Sequence, residues 1–340
     1  MPELVLERKG GLGVIRLDRP KALNALTMDM IGGMVATLAD WAGDPSVSVV
    51  LIEGAGDRAF CAGGDVRALY DSRNHPADTY RADFYRDEYH LNRAIYRFPK
   101  PFIAVMDGIT MGGGVGVSVH GSHRVVTERT LFAMPETGIG LFPDVGGGHF
   151  LPRCPGAIGM YLGLTGARLK AADCLHAGIA THFVPSAELG RITDGDDAVA
   201  ALATLAGDPG PSALAAMGDD IDRFFGLDSI AEIMAALAAD GGEWAARTLA
   251  TLKAKAPLSL CVSFRHLRAG RDLDFEAVMV MEYRLSQRFM ADHDFFEGVR
   301  AIIIEKDNAP RWRHGAIADV PAAEVDAYFA PLGPGDLTFD

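Results

Sequence analysis

Residues 101–148 read PFIAVMDGITMGGGVGVSVHGSHRVVTERTLFAMPETGIGLFPDVGGG, and this stretch carries most of the information on fold and function. An apolar run at 102–106, typical of a buried strand, leads into the triple glycine at 112–114, and an acid, Glu136, comes directly after Pro135, following two more short apolar runs. Glycines between a strand and a helix leave backbone N–H groups open to a ligand, where they stabilise developing negative charge. A carboxylate that follows in sequence can act as a general base or a nucleophile. The stretch therefore indicates acyl chemistry.

The composition is that of a well-packed protein. The 340 residues, 49% hydrophobic and 23% charged, can bury one large core or two modest ones. The net charge of −13 argues against nucleic acid and against a membrane surface as partners, although a few local arginines or lysines can still bind a phosphate group. No apolar run reaches the roughly 18 residues that a transmembrane helix needs.

The sequence contains no pattern typical of a metal site. The four cysteines have no CxxC or paired spacing, which argues against a disulfide scaffold and against structural zinc, and the ten histidines form no HExxH or similar motif. Cys61 is interpreted as a small buried residue rather than a nucleophile, because no histidine lies near it in sequence. We therefore expect no metal and no cofactor. The N-terminus has neither a signal-peptide core nor transit-peptide character, so a cytoplasmic location is predicted.

Strands and helices alternate over the first half of the chain, which predicts an α/β layer. Predicted strands fall at 4–7, 13–17, 47–52, 102–106 and 181–184, and predicted helices at 27–42, 83–96, 157–164 and 171–178. From about residue 187 helical patterns dominate, at 198–206, 212–225, 230–239, 243–255 and 275–290, with Pro257, Gly270 and Asp272 as interruptions. We predict two parts, a core at 1–188 that holds the active site and a helical region at 189–340, with a soft boundary near 185–195.

Two glycine turns are candidates for an oxyanion hole. The loop at 63–65 and the turn at 112–114 each lie between an apolar strand and a helical segment. One N–H group from each, directed at one point, would contribute roughly 3–4 kcal/mol per donor to the stabilisation of a transition state. The alternative is that these glycines only permit tight turns. A dinucleotide site is disfavoured, since neither GxGxxG nor a Walker A sequence is present.

Two of the acids that follow the triple glycine are candidate site residues. Glu136 lies between the apolar residues 132–135 and the small residues 137–140, and such surroundings raise the pKa of a carboxyl group and favour proton transfer near neutral pH. The alternative is a solvated loop acid or a partner for a helix N-terminus. Asp144 lies eight residues further on, before three glycines, where the alternative role is to form a turn.

A third acid, Glu88, lies on the inward face of the predicted helix at 83–96. The apolar stripe that defines this face consists of Phe84, Leu91 and Ile95. A carboxylate on a buried face is costly unless it is paired or functional. A structural salt bridge with Arg93 or Arg97 remains the alternative.

These residues together resemble the crotonase (enoyl-CoA hydratase/isomerase) superfamily. The segments that carry the general resemblance are RPKALNAL at 19–26, AFCAGGD at 59–65 and GGG at 112–114. Longer segments resemble its 3-hydroxyisobutyryl-CoA hydrolase branch: GITMGGGVG at 108–116, FAMPET at 132–137, IGLFPDVGGG at 139–148, AGIATHFV at 177–184, MEYRLS at 281–286 and DFFEGVRA at 294–301. The resemblance covers nearly the whole chain and is weakest at 186–245.

The resemblance implies a fold and a site. It implies an α/β fold, a crotonase-like spiral of ββα units followed by a helical C-terminal region. It also implies a coenzyme A thioester as substrate, with the carbonyl held by the N–H groups of Gly64 and Gly113. Catalytic or substrate-binding roles then fall on Glu88, Gly113, Glu136 and Asp144. Coenzyme A is part of the substrate and not a cofactor.

Gly116 distinguishes between two reactions of this superfamily. Its hydratases carry a second glutamate two residues after the triple glycine, where this chain has Gly116. Thioester hydrolysis needs one activated water or one carboxylate nucleophile, and a thiolate leaves without a strong acid because the thiol pKa is roughly 8–9. The sequence therefore favours hydrolysis of a short branched 3-hydroxyacyl-CoA, above all 3-hydroxyisobutyryl-CoA in valine catabolism. An enoyl-CoA hydratase or isomerase and a catalytically silent acyl-CoA-binding protein are the alternatives, and trimer-like packing is an open expectation.

Overall fold

The computed structural model of the chain describes residues 3–75, 79–195 and 197–339. Its strands form two sheets, one with the order β1-β2-β3-β5-β7-β9 and a smaller one with the order β4-β6-β8. The strands are β1 (Leu4–Lys9), β2 (Leu12–Leu17), β3 (Val49–Gly54), β4 (Ala59–Cys61), β5 (Phe102–Met106), β6 (Ile109–Met111), β7 (His123–Val126), β8 (Leu131–Ala133) and β9 (His182–Phe183). Among these strands of the described residues, β1 and β2 pair antiparallel and the other pairs are parallel.

The helices lie between the strands and then follow them. They are α1 (Met28–Gly43), α2 (Val66–Asp71), α3 (Tyr80–Tyr96), α4 (Gly113–Gly116), α5 (Gly147–Phe150), α6 (Ile158–Thr165), α7 (Ala171–His176), α8 (Ala198–Leu205), α9 (Ala213–Ala216), α10 (Gly218–Phe225), α11 (Ile230–Asp240), α12 (Glu243–Lys253), α13 (Pro257–Gly270), α14 (Phe275–Phe289), α15 (His293–Val299) and α16 (Ala322–Phe329). Within the described ranges, no helix combines the length and apolarity that crossing a bilayer requires.

Successive turns of the chain repeat one pattern, in which a strand of the larger sheet is followed by a strand of the smaller sheet. The pairs are β3 with β4, β5 with β6, and β7 with β8. Parallel neighbours cannot be joined by a tight turn, so each return to the larger sheet requires a crossover, and the smaller sheet is built within these crossovers. The predicted spiral of ββα units is confirmed, and in the described part of the chain only helices and loops follow β9.

The chain packs into two compact units, each assembled from three segments. Unit 1 contains the residues up to 65, 87–133 and 168–216, and unit 2 contains 66–86, 134–167 and the residues from 217 onward. The predicted boundary at residue 188 divides the chain by sequence character, whereas these units group segments by packing. That boundary stays a prediction.

Each unit has its own apolar core. In unit 1, alternate residues of β2, β3 and β5 point to one face of the larger sheet and pack against α8, because successive side chains of a strand alternate between faces. The buried residues of this core are Leu12, Val14, Val49, Leu51, Ile103, Val105, Val125, Val184, Ile192, Ala198 and Leu202. In unit 2 the core is formed by helix faces, through Leu164, Phe224, Phe225, Ile230, Ile233, Leu237, Ala245, Leu252 and Leu260.

Most predicted elements are confirmed to within a few residues, and one is corrected. The interruptions predicted at Pro257, Gly270 and Asp272 are confirmed, because α12 ends at Lys253, α13 runs from Pro257 to Gly270 and α14 begins at Phe275. Pro257 is the first residue of α13, where its missing N–H has no intrahelical acceptor to lose. The helix predicted at 212–225 is broken at Met217 into α9 and α10.

Candidate active site

The predicted site residues fall into two groups, one in each unit. Gly64, Glu88 and Gly113 lie together in unit 1, and Glu136 and Asp144 lie together in unit 2.

The loop that carries Gly64 is fixed by backbone pairing with Leu26. The N–H of Leu26 donates to the carbonyl of Gly63 at 2.9 Å, and the N–H of Asp65 donates to the carbonyl of Leu26 at 2.9 Å. This parallel bridge uses the residues on both sides of Gly64 and not its own N–H. Because successive N–H groups alternate in direction along extended backbone, the N–H of Gly64 faces away from Leu26.

Asn24, in the RPKALNAL segment, helps to fix the chain that leads into this loop. Its side chain is fully buried, and its Nδ2 donates to the carbonyls of Ala55 and Ala59, both at 2.9 Å. Its backbone has a φ of 56°, in the left-handed region that asparagine tolerates better than most residues. Asn24 therefore ties the segment containing Leu26 to the chain on either side of the turn between β3 and β4.

Gly113 is the first residue of the short helix α4. The N–H groups of Val115 and Gly116 donate to the carbonyl of Gly112, whereas the N–H of Gly113 belongs to the first turn and has no acceptor within the helix. A Cβ atom at position 113 would lie only 3.1 Å from the backbone nitrogen of Gly64. The structure therefore brings the two predicted oxyanion-hole donors side by side.

The side chain of Glu88 lies close to Gly113 and Gly64. The side chain is buried on α3, as the stripe of apolar residues predicts, and a Cβ atom at position 113 would overlap its Oε1. A carboxylate here is poorly suited to a carbonyl oxygen that gains negative charge, because like charges repel. It is well suited to accept a hydrogen bond from a hydroxyl group or a water molecule next to that carbonyl.

Glu136 begins a short 3-10 helix, Glu136–Ile139, directly after Pro135. The residue is only 4% exposed, and its Oε2 has no hydrogen-bond partner among the described residues. Burial, followed by the negative charge of Asp144, raises the pKa of Glu136 well above its usual value, and the charge of Lys255 acts in the opposite direction. The raised pKa predicted from the apolar surroundings is therefore confirmed.

Asp144 lies in a turn of unusual backbone geometry. It is 4% exposed, and the next residue, Val145, has a φ of 51°. A β-branched residue in the left-handed region is a strained conformation, of the kind that clusters at functional sites. The prediction that Asp144 forms a turn and the prediction that it belongs to the site are thus compatible.

Lys255 is a site residue that the sequence did not single out. Its Nζ lies 3.4 Å from the positions that Cβ atoms would occupy at Gly138 and Gly166. The neighbouring N–H of Ala256 donates to the carbonyl of Thr137 at 3.1 Å, which fixes this segment against the 3-10 helix of Glu136. Nothing in the local pattern around residue 255 indicates this contact, because it joins segments that lie far apart in the sequence.

Cys61 and the possible metal ligands are the other groups whose chemistry the sequence raised. Cys61 is fully buried, and burial raises the pKa of its thiol to about 12, so it is no nucleophile at neutral pH. Across the described residues, no group of three or more His, Cys, Asp or Glu side chains is arranged to hold a metal ion.

Comparison with known proteins identifies the family. The sequence profile described as Enoyl-CoA hydratase/isomerase matches residues 12–329. The chain belongs to this family. Two family members of known name are similar along nearly their whole length. The mitochondrial 3-hydroxyisobutyryl-CoA hydrolase of Xenopus laevis is 47% identical over 98% of this chain and 90% of its own, and that of Homo sapiens is 43% identical over 99% and 91%. The predicted resemblance to that branch is confirmed.

Solved structures of the family share the fold. A carnitinyl-CoA dehydratase from Mycobacterium thermoresistibile superposes with a TM-score of 0.94 at 43% identity, covering 99% of both chains. An enoyl-CoA hydratase from Rhodobacter sphaeroides superposes with a TM-score of 0.93 at 42% identity, covering 99% of this chain and 100% of the other. The predicted fold class is therefore confirmed for the whole chain, although the names of these two structures refer to reactions other than hydrolysis.

Proposed function

We propose that the protein hydrolyses the thioester of a short branched 3-hydroxyacyl-CoA, above all 3-hydroxyisobutyryl-CoA, in valine catabolism. The observation that carries the proposal is the buried carboxyl group of Glu136, with its unused Oε2 and its raised pKa. Such a group is suited to take up a proton near neutral pH. The identity of 43–47% to family members named as 3-hydroxyisobutyryl-CoA hydrolases supports the same reaction.

In the proposed reaction, the N–H groups of Gly64 and Gly113 hold the thioester oxygen. Glu136 takes a proton from water as the water oxygen bonds to the carbonyl carbon, and negative charge moves onto the held oxygen. The tetrahedral intermediate then collapses, the C–S bond breaks, and the thiolate of coenzyme A leaves and is protonated. If Glu136 instead attacks the carbonyl carbon itself, a mixed anhydride forms that water cleaves to the same products.

Asp144 and Glu88 are assigned to positioning. Asp144 holds the water or the substrate's 3-hydroxyl, and its negative charge keeps the pKa of Glu136 high. Glu88 accepts a hydrogen bond from the 3-hydroxyl or the water, since beside Gly113 a carboxylate opposes negative charge on the carbonyl oxygen. These roles require no metal and no cofactor, and the expectation from the sequence that the protein uses neither stays a prediction.

An enoyl-CoA hydratase remains the second candidate, because Glu88 supplies a carboxylate beside Gly113 although position 116 is glycine. Two acids suit the delivery of a hydroxyl group and a proton to a C=C bond. The names of the solved family members at 42–43% identity point to this alternative. A silent acyl-CoA-binding protein would need neither Glu136 nor Asp144, and the cost of burying two carboxyl groups that have no role argues against it.

One assay separates these candidates. The purified protein is incubated with 3-hydroxyisobutyryl-CoA or with crotonyl-CoA, and free thiol and enoyl absorbance are followed. Thiol release from the first substrate alone is the expected result. Loss of enoyl absorbance from the second without thiol release would instead identify a hydratase, and binding without turnover of either would identify a silent binding protein.

The pH dependence of hydrolysis is expected to shift in opposite directions in two variants. Activity requires ionised Glu136, so it falls as the pH drops through the pKa of that residue. Asp144→Asn removes a charge that raises this pKa, so the acid limb of the kcat profile moves to lower pH, while Lys255→Met removes a charge that lowers it, so the limb moves to higher pH. The measurement is thiol release against pH.

The controls for this experiment are Asp272→Asn and Lys253→Met, which change exposed side chains in the same unit. Both are expected to keep the wild-type acid limb. Shifts in the same direction for Asp144→Asn and Lys255→Met would contradict the assignment of the limb to Glu136.

We also make proposals about the compartment and the assembly of the protein. We propose a cytoplasmic location from the sequence, with the mitochondrial location in the names of the vertebrate relatives as the alternative. An acyl-CoA is the proposed small-molecule partner, nucleic acid and membrane are not proposed as partners, and trimer-like packing of identical chains stays a prediction.

A further inference from the structure

Glu282 is a fully buried carboxylate that the proposed reaction does not use. It lies on α14 and accepts hydrogen bonds from two backbone groups of the segment after Asp144. The N–H of Gly146 donates to its Oε2 at 2.7 Å, and the N–H of Gly148 donates to its Oε1 at 2.9 Å. One side chain, more than a hundred residues away in sequence, thus binds both ends of the Gly146–Gly148 segment.

His266 supplies a third contact to the same carboxylate. Its Nε2 lies 3.1 Å from Oε1 of Glu282, and its ring packs edge-on against Phe142 with 5.3 Å between ring centroids. The Nδ1 has no hydrogen-bond partner among the described residues. We therefore place the proton of the neutral ring on Nε2, which can then donate a hydrogen bond to Oε1 of Glu282. Gly148 permits this approach, because a Cβ atom there would overlap Nε2 of His266.

The segment held by Glu282 needs such support. Val145, between Asp144 and Gly146, has a φ of 51°, a conformation that a β-branched residue keeps only when its surroundings impose it. A hydrogen bond of 2.8 Å from the N–H of Gly147 to the carbonyl of Asp144 closes the turn, and the bonds from Gly146 and Gly148 to Glu282 fix it to α14. The backbone that carries Asp144 is therefore held by a charge and not by packing alone.

The chemistry of this contact requires a carboxylate. Three donors converge on one side chain, and a carboxylate is the side chain that only accepts. A glutamine at position 282 would present an NH₂ group to at least one of these donors, although its shape is nearly the same.

We propose that Glu282, supported by His266, is a positioning residue for Asp144, which it holds in place beside Glu136 by fixing the strained turn at 144–148. This inference rests on the proposed function, because it assigns Glu282 to the hydrolysis that Glu136 and Asp144 perform.

The test compares Glu282→Gln with Glu276→Gln, a partly exposed glutamate in the first turn of the same helix. For 3-hydroxyisobutyryl-CoA, Glu282→Gln is expected to lower kcat by about 10- to 100-fold, because small displacements of a positioned group have effects of this size. KM should change by less than about threefold. The acid limb of the kcat profile should move to lower pH, as in Asp144→Asn, since Asp144 and Lys255 are the charges that act on Glu136.

A purely structural role is distinguishable from this proposal. Partial unfolding would lower apparent kcat and leave the acid limb in place, and that result would overturn the inference, as would a wild-type kcat. In the background of Asp144→Asn, Glu282→Gln should have little further effect on kcat, and full additivity would also overturn the inference. If Glu282→Gln does not fold by circular dichroism, His266→Gln provides the same comparison with a milder change.

Failure of the proposed function is recognised separately. Wild-type protein that releases no thiol from 3-hydroxyisobutyryl-CoA would refute the hydrolase assignment itself. Wild-type hydrolysis with no effect of either the Glu282 or the His266 variant would refute only the positioning role.

Discussion

Glu136→Gln is expected to lower the rate of coenzyme A release from 3-hydroxyisobutyryl-CoA by at least about a hundredfold. The substitution keeps the shape of the side chain and removes the group that accepts the proton or attacks the carbonyl carbon. Because the remaining groups still hold the substrate, KM should change little while kcat carries the loss. The measurement is steady-state thiol release at a pH above the acid limb of the wild-type profile.

The same substitution is expected to stabilise the folded protein at high pH. The folded state raises the pKa of Glu136, so the contribution of this residue to stability is present at low pH and is lost as the pH rises through that pKa. Glu136→Gln removes the buried charge and should increase the free energy of unfolding by about 1–3 kcal/mol above that pH, with no gain well below it. Thermal unfolding across the pH range measures this difference.

Together the two readouts separate catalysis from folding. A variant that is inactive but at least as stable as the wild type has lost a chemical group and not its structure. Glu243→Gln, at an exposed position on α12, is the control and should match the wild type in both measurements. Near-normal turnover by Glu136→Gln would contradict the assignment of Glu136, whatever its stability.

The sequence predicted the residues whose environment is local. Burial is the largest cause of the raised pKa of Glu136, and the apolar and small residues at 132–140 predicted that direction, although the charges of Asp144 and Lys255 also act on it. Glu88 was found because the 3.6-residue period of α3 places it on the buried face. That it lies against Gly113 could not be predicted, because the contact joins two segments that are separate in sequence.

The same rule of helix periodicity would have found Glu282, and the prediction overlooked it. Val278, Glu282, Leu285 and Phe289 recur at i, i+4, i+7 and i+11 along α14, and all are buried. The periodicity does not predict the hydrogen-bond partner of Glu282, because the backbone of residues 146–148 belongs to a different element. Lys255 has no such signal at all, because it follows the last turn of α12 and acts through its position in the fold.

Gly113→Ala is expected to lower kcat for thioester hydrolysis by about 10²- to 10³-fold, the usual size of effect when one oxyanion-hole donor is lost, because the added Cβ obstructs access to the N–H groups. The added Cβ would overlap Oε1 of Glu88 and lie 3.1 Å from the nitrogen of Gly64, so it would occupy the space between the two donors. The closest atom belongs to the end of a side chain, which can shift, so the fold should persist. Circular dichroism and thiol release together measure this.

Two neighbouring glycine variants make the interpretation specific. At Gly32, on α1 in the same unit, an added Cβ meets nothing within 4 Å, so Gly32→Ala should keep full activity. At Gly114 the added Cβ would overlap the backbone carbonyl of Cys61, which cannot move without displacing the loop before Gly64, so Gly114→Ala should lose both fold and activity. Of these three glycine positions, only 113 is expected to lose activity while the fold persists. If Gly113→Ala kept its fold and hydrolysed the substrate within about threefold of the wild-type rate, the space beside the N–H groups of Gly64 and Gly113 would not be where the carbonyl oxygen binds, because the added Cβ would occupy that space.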